Sequence, residues 1–258
     1  MTNQPIKTSN AKQPETDSGN NTFQGFSLEN SREQLENITA EERIQWAHNA
    51  FGSQFVLTTS FGIQSAVLLN MIHLLQLDKP PKIIWIDTGY LPPETYIYAN
   101  ELTIKLQLTI EVIQSDLSPA RMEALYGRLW ENKEMEDLEK YHLIRKVKPL
   151  EKAFDELNVT CWASGVRGGQ TKLRSSMTFL DEIRGRFSLR PLLNWTNKDV
   201  FYYMKEHELP QHPLFEKGYS TVGDWHSSGP DTPDQKGRNT RFGGVKEECG
   251  IHLPETNK

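Results

Sequence analysis

Short, continuous apolar runs alternate along this chain with stretches of helical period. Phe55-Val56-Leu57, Ile83-Ile84-Trp85-Ile86 and Val159-Thr160-Cys161-Trp162-Ala163 are runs of the first kind. Such runs, bounded by turn formers, predict strands buried on both faces. Leu108 to Ile113 predicts a further strand. Thr39-Ala-Glu-Glu42 has the spacing of a capping box and opens a helix through Ile44, Trp46, Ala47 and Phe51. Ile63 to Leu77 carries a helical pattern directly after the first strand, and Pro92-Pro93-Glu94 starts another helix after the second. Arg145 and Lys146 start a helix-like segment that runs to Leu157. Strand and helix alternating at this spacing predict an α/β fold, a parallel sheet flanked by helices. There is no internal repeat. From about Pro210 the chain is rich in Gly, Pro, Ser and His and reads as irregular.

Composition adds boundaries to this picture. At 258 residues, 36% of them apolar, the chain can bury a large core. No run approaches the ~18 apolar residues of a membrane span, and the N-terminus lacks a basic-then-apolar signal pattern. Residues 1–22 hold three apolar side chains, Met1, Ile6 and Ala11, among polar residues and Pro. A disordered extension over 1–27 is therefore expected. Two cysteines without an export signal predict a reducing, cytoplasmic setting and no disulfide framework.

The net charge of −5 argues against a nucleic-acid binder, and its distribution says more. Residues 1–140 carry 11 Lys/Arg against 19 Asp/Glu, residues 141–190 carry 10 against 5, and residues 191–258 carry 8 against 10. A basic middle in an acidic chain suits a small polyanionic ligand, although a solvated basic face would give the same count.

Ligands of parallel sheets bind beyond the carboxyl ends of the strands, which here means the loops 58–65, 87–93 and 164–174. In the first loop, Ser60, Phe61, Gly62, Gln64 and Ser65 precede a helix N-terminus, where free N–H groups and hydroxyls can take a phosphate. An ordinary capped turn has the same spacing. In the second, Asp87, Thr88 and Gly89 stand where a doubly wound sheet reaches a ribose or base, although Asp-Thr-Gly also makes a plain turn. In the third, Gly165, Arg167, Gln170, Lys172 and Arg174 combine backbone freedom with three cations, and arginine's fork suits phosphate or sulfate oxygens. Arg145 and Lys146 can point at the same place.

Cys161, between Thr160 and Trp162 in an apolar strand, reads as a core residue. Cys249 lies in Lys246-Glu-Glu-Cys-Gly-Ile-His252, near the chain end, with Arg241 and Lys246 close in sequence. Neighbouring cations lower a thiol from its usual pKa of about 8.5, while Glu247 and Glu248 oppose that effect. The chain has no C-x-x-C pair, and the histidines show no ligand spacing, so no metal site is expected.

Several stretches together resemble the sulfonucleotide reductases, most closely the thioredoxin-dependent phosphoadenylyl-sulfate (PAPS) reductases. They are "SFGIQSAVLL" at 60–69, "DTGYLPPETY" at 87–96, "RKVKPL" at 145–150, "GVRGGQTKLR" at 165–174, "HPLFEKGYSTVGD" at 212–224 and "TRFGGVKEECGIH" at 240–252. The resemblance implies an adenine nucleotide alpha hydrolase-like (PP-loop) fold. It implies a catalytic α/β domain over 28–226 and a flexible tail over 227–258 that carries the nucleophile, Cys249. Substrate contacts would come from the residues named above together with Arg241, Lys246 and His252. It further implies PAPS as substrate, an S-sulfocysteine intermediate, thioredoxin or glutaredoxin as reductant, and a homodimer in the cytoplasm.

Reductases of adenylyl sulfate (APS) in the same superfamily carry a [4Fe–4S] cluster on a Cys-Cys pair and a C-x-x-C pair. Tyr141-His142 and the pair Asp224 and Ser227 occupy those positions here, so the resemblance points to a cluster-free enzyme with no bound cofactor. A cluster-free APS reductase remains an alternative. The basic loop departs from the Arg-Arg-x-Gln-Ser of many relatives, reading Arg167-Gly-Gly-Gln170-Thr171. A PP-loop adenylyltransferase is a third reading, but Gln64 replaces the magnesium-serving Asp of that group, and such an enzyme has no use for Cys249.

Overall fold

The computed structural model describes residues 27–253. The expected N-terminal extension over 1–27 lies outside them except for Ser27, whose hydroxyl caps helix α1 (Leu28–Glu36). The capping box at Thr39 and Glu42 forms as expected and opens α2 (Ala40–Phe51). The six strands among the described residues are β1 (Phe55–Thr59), β2 (Lys82–Asp87), β3 (Ile110–Gln114), β4 (Cys161–Ala163), β5 (Leu180–Ile183) and β6 (Arg186–Leu189). They form one sheet in the order β3-β2-β1-β4-β6-β5, parallel throughout except for the antiparallel edge strand β5.

That order positions the site. From β1 the chain builds outward to β2 and β3, then returns to lay β4 on the other side of β1. Connections on either side of β1 and β4 therefore leave in opposite directions, and a crevice opens at their carboxyl ends. Thr58 Oγ1 donates to the Ala163 carbonyl across it at 3.1 Å.

Helices cover both faces, which explains the continuous apolar runs. Phe55, Leu57, Cys161 and Ala163 face one layer, with α2, α3 (Ala66–Leu74), α4 (Pro93–Lys105) and α8 (Asn197–Glu206). Val56, Ile84 and Trp162 face the other, against Leu150 and Phe154 of α7 (Lys148–Glu156). Because side chains alternate along a strand, Cys161 and Trp162 look to opposite layers. Helix α3 begins at Ala66 rather than Ile63, since residues 62–65 form a turn closed by the Ser65 N–H on the Gly62 carbonyl at 3.1 Å.

The helix-like segment at 145 extends further back than expected. Helix α5 (Pro119–Tyr126) is followed by α6 (Met135–His142), which runs through a π-helical segment, Leu143–Val147, into α7. Pro149 has no N–H to return to the carbonyl of Arg145, so a regular α ladder cannot pass this point. Both Arg145 and Lys146 are buried there. The β5–β6 hairpin and α8 were not among the expected elements. Beyond Pro210 the chain is irregular, as its composition predicted, with 3₁₀ turns at Trp225–Ser227 and Gly237–Gly244. Among the described residues no helix is long and apolar enough to cross a membrane.

Candidate active site

At the carboxyl ends of β1 and β4 lies a cavity of about 220 Å³. Its walls are the loop after β1 (Ser60, Gly62, Gln64, Ser65), the loop after β4 (Gly165, Gln170, Arg174), the segment Ser220–Gly223, and the tail residues Cys249, Ile251 and His252. Lys146, Arg174, Arg238 and Arg241 line it, and no carboxylate among the described residues does. A concave, cation-lined wall at the switch point of a parallel sheet is chemistry for a polyanion.

Each cation is held in place by a different device. Lys146 Nζ stands 2.6 Å from Asp224 Oδ2, and the Thr88 hydroxyl donates to Oδ1 of the same carboxylate. Asp224 is completely buried, yet Lys146 and His226 beside it hold its carboxyl well below the usual range. Arg174 meets Glu248 fork to fork, with Nε–Oε1 and Nη2–Oε2 both 2.8 Å, and Thr171 Oγ1 donates to Oε1 at 3.0 Å. Arg238 donates to the Glu247 carbonyl and lies 3.6 Å from Glu248. Burial beside Arg174 pushes Arg238 down to about 10. Arg241 Nη1 donates to Ser228 Oγ at 3.1 Å and sits against Gly223, where a Cβ would collide with the guanidinium.

Cys249 is half-buried and lines the cavity, between the anchored Glu248 and His252. His252 stacks on Trp162 with ring centroids 5.2 Å apart at 18°. Burial and the surrounding arginines 174, 190, 238 and 184 hold its imidazole well below its ordinary range, so it is neutral. Cys161 is fully buried in the opposite layer, and burial raises its thiol well above the ordinary range.

The Phosphoadenosine phosphosulfate reductase domain matches residues 54–230. A phosphoadenosine 5′-phosphosulfate reductase of Synechococcus sp. is 54% identical over 228 residues, covering 88% of this chain and 97% of that protein. This chain belongs to the phosphoadenosine phosphosulfate reductase family. A reductase of the same name from Synechocystis sp. is 47% identical over 234 residues, covering 90% of this chain and 93% of the relative. The crystal structure of the phosphoadenylyl-sulfate reductase of Candida auris, a phosphate complex, superposes with a TM-score of 0.67. It shares 29% identity and covers 79% of this chain and 98% of that one. FMN adenylyltransferase of Candida glabrata is 15% identical with a TM-score of 0.54, over 80% of this chain and 66% of that one, a likeness of fold alone.

Within the family frame, the expected residues divide into two groups. Ser60, Gly62, Gln64, Ser65, Thr88, Lys146, Gly165, Gln170, Arg174, Arg241, Cys249 and His252 converge on the cavity. Phe61, Asp87, Gly89, Arg145, Arg167 and Lys246 do not line it. Phe61 is fully buried, its ring edge-on to Trp85 at 4.8 Å, and its φ of +46° shapes the loop through the backbone. Asp87 accepts from the Gly89 N–H, the Tyr96 hydroxyl and Gln114 Nε2 at 2.7–2.8 Å, so its carboxylate is spent inside the loop. Arg145 donates to the carbonyls of Thr88 and Leu117 and so holds the loop carrying Gly89. Arg167 binds Asn197 and Gln64, and burial pushes it down to about 10. Lys146 is the only residue of the Arg145-Lys146 pair on the cavity wall.

Lys246 corrects an expectation about Cys249. Its ammonium points to helix α6, 3.6 Å from Glu139 and 3.5 Å from Met135 Sδ. The cations that share the cavity wall with the thiol are Lys146, Arg174, Arg238 and Arg241 instead. Sequence reasoning missed Arg238, Gly223 and the Asp224 anchor. The Arg-x-x-Arg spacing of 238 and 241 was a readable signal for the first. Nothing local marks Asp224, which becomes meaningful only when Tyr141, His142 and Lys146 of the α6–α7 rod pack around it.

Proposed function

We propose that this protein reduces PAPS to sulfite and adenosine 3′,5′-bisphosphate with thioredoxin as reductant. The observation that carries this reading is the Cys249 thiol on the wall of a cavity that, among the described residues, is lined by four cations and no carboxylate. The Cys249 thiolate attacks the sulfur of the sulfonyl group. The S–O bond to the phosphate breaks, its electron pair leaves with adenosine 3′,5′-bisphosphate, and the enzyme holds a Cys–S–SO₃⁻ adduct. A thioredoxin thiolate then attacks the Cys249 sulfur, sulfite departs, and the second thioredoxin thiol resolves the mixed disulfide. Lys146, Arg238 and Arg241 stabilise charge on the departing phosphate, and the neutral imidazole of His252 adds no charge of its own.

No bound cofactor takes part in this scheme. With Tyr141, His142, Asp224 and Ser227 at the cluster-ligand positions and two cysteines in the whole chain, four thiolates cannot be supplied. The cavity is smaller than the roughly 300–1,000 Å³ of small-molecule sites. Cys249, Ile251 and His252 close one side of it, so the tail moves to admit substrate and swings out to meet thioredoxin. By the same resemblance the enzyme works as a cytoplasmic homodimer and serves assimilatory sulfate reduction.

The test is sulfite release by purified protein with thioredoxin, comparing PAPS with APS, alongside iron analysis. Release from PAPS by an iron-free protein, lost in Cys249→Ser and largely kept in Cys161→Ser, is expected. An inactive but folded Cys161→Ser protein would overturn the assignment of the nucleophile, and faster release from APS would reassign the substrate.

A further inference from the structure

The β5–β6 hairpin turns through Arg184 and Gly185, both at positive φ (+49° and +71°), the two-residue geometry that matches strand twist. This turn aims the Arg184 side chain at the tail. Its Nη1 donates to the carbonyls of Leu253 at 2.6 Å and Gly250 at 3.3 Å, and its Nη2 donates to the carbonyl of Ile251 at 2.8 Å. The Nε is held 2.6 Å from Glu151 Oε1 on α7, whose other oxygen is 2.6 Å from Arg186. The guanidinium is therefore fixed from behind before it meets the tail. Three backbone carbonyls, all within four residues of Cys249, converge on one side chain, and Arg184 does not line the cavity.

We propose that Arg184 is a positioning residue that docks the Cys249 tail over the cavity. The proposal rests on the reading of Cys249 as nucleophile. Cys249 is suspended between two guanidinium anchors, Arg174 on Glu248 and Arg184 on residues 250–253. These anchors differ in kind. Arg174 faces the cavity, so an anionic ligand competes with Glu248 for it, whereas Arg184 is out of a ligand's reach. No ligand competes for its grip, so while the tail is closed it sets the angle at which the thiol meets a ligand. The planar fork is essential, because Nε faces Glu151 while Nη1 and Nη2 face the tail carbonyls, and one ammonium has no second nitrogen to serve both sides. Ile251 packed on the Trp162 layer and His252 stacked on Trp162 add contact area but fix no direction by themselves.

The experiment follows alkylation of the full-length protein by iodoacetamide, read by mass spectrometry at Cys249 and Cys161 separately, with adenosine 3′,5′-bisphosphate affinity measured beside it. In Arg184→Ala, Cys249 should react about tenfold faster, the effect of losing one charge-assisted hydrogen bond. Arg184→Lys should behave like Arg184→Ala, Cys161 should stay unreactive, and nucleotide affinity should stay within about twofold. If Arg184→Ala also exposes Cys161, the fold has loosened, and the Lys variant, which keeps the charge beside Glu151, decides. Cys249 reactivity within about twofold of the parent in the deciding variant overturns the proposal. Alkylation needs no turnover, so a Cys249→Ser protein that still released sulfite would defeat the functional reading without touching this one.

Discussion

Gly223 has no unusual backbone angle; what it provides is absence. A Cβ there would occupy the space of the Arg241 guanidinium, which is buried and still reaches the cavity wall. Gly223→Ala should displace Arg241 and lower kcat/KM by about ten- to a hundredfold, the loss of one charge-assisted hydrogen bond. The check is a double-mutant cycle. If the alanine acts through Arg241, Gly223→Ala in an Arg241→Ala background adds almost nothing. Full additivity would mean that the added methyl blocks the ligand directly. The same scale separates cations that sequence proximity had grouped. Arg145 and Arg167 hold loops, Lys246 holds helix α6, and Lys146, Arg174, Arg238 and Arg241 face the cavity.

Among its described residues the tail has no α-helix or strand to stiffen it, and it is held mainly by its side chains. Thr232–Asp234 and Lys236 are exposed, whereas Thr240–Phe242 and Glu248 are buried. Few backbone bonds protect the stretch between Ser228 and Arg238, and such segments open first. Trypsin should therefore cut the native protein first after Lys236, and adenosine 3′,5′-bisphosphate should slow that cut by recruiting Arg238 and Arg241 just beyond it. Cleavage at the same rate in saturating nucleotide, followed on a gel, would show that the ligand does not draw the tail shut. Removing residues 240–258 should abolish reduction while the loops at 58–65 and 164–174 keep weakened nucleotide binding.

At the scale of the whole molecule, four histidines set an acid limit, His142 and His212 buried and His226 and His252 half-buried. His142 and His252 are held well below their ordinary range by burial, and burial pushes His212 and His226 down to about 4. All four are neutral in the folded state, while in the unfolded chain they take up protons near pH 6.5. Their contribution is complete above that value and is lost as pH falls from 6.5 toward 4, since the unfolded state then binds more protons. The carboxylates with lowered pKa, Glu94, Asp181, Asp199, Asp224 and Glu248, act only below about 4.5 and do not mask the effect. Urea unfolding at pH 5 should show stability reduced by about 2 kcal/mol or more relative to pH 7.5. Equal midpoints at the two values would refute the buried-neutral assignment.

The apolar runs at 55, 83 and 159 and the turn formers after them were sufficient for the parallel sheet, because a strand buried on both faces has no polar side to disguise its pattern. The meeting of Cys249 with the loops at 60 and 165 was likewise readable, since a motif keeps its residues in a short span, whereas of Asp87, Thr88 and Gly89 only Thr88 reaches the cavity. The edge hairpin was not legible: Leu180–Leu189 interrupts its apolar positions with Asp181, Glu182, Arg184 and Arg186, and it joins the sheet through β6 alone, on β4. Which cation does what was decided by tertiary structure alone. A side chain's reach is about the same whether it holds a carbonyl, a carboxylate or a ligand, and only the packed neighbours choose among them. Asp224 turns Lys146 into a cavity cation, Glu139 turns Lys246 away from it, and the hairpin brings Arg184, 65 residues before Cys249 in the chain, to the carbonyls just after it.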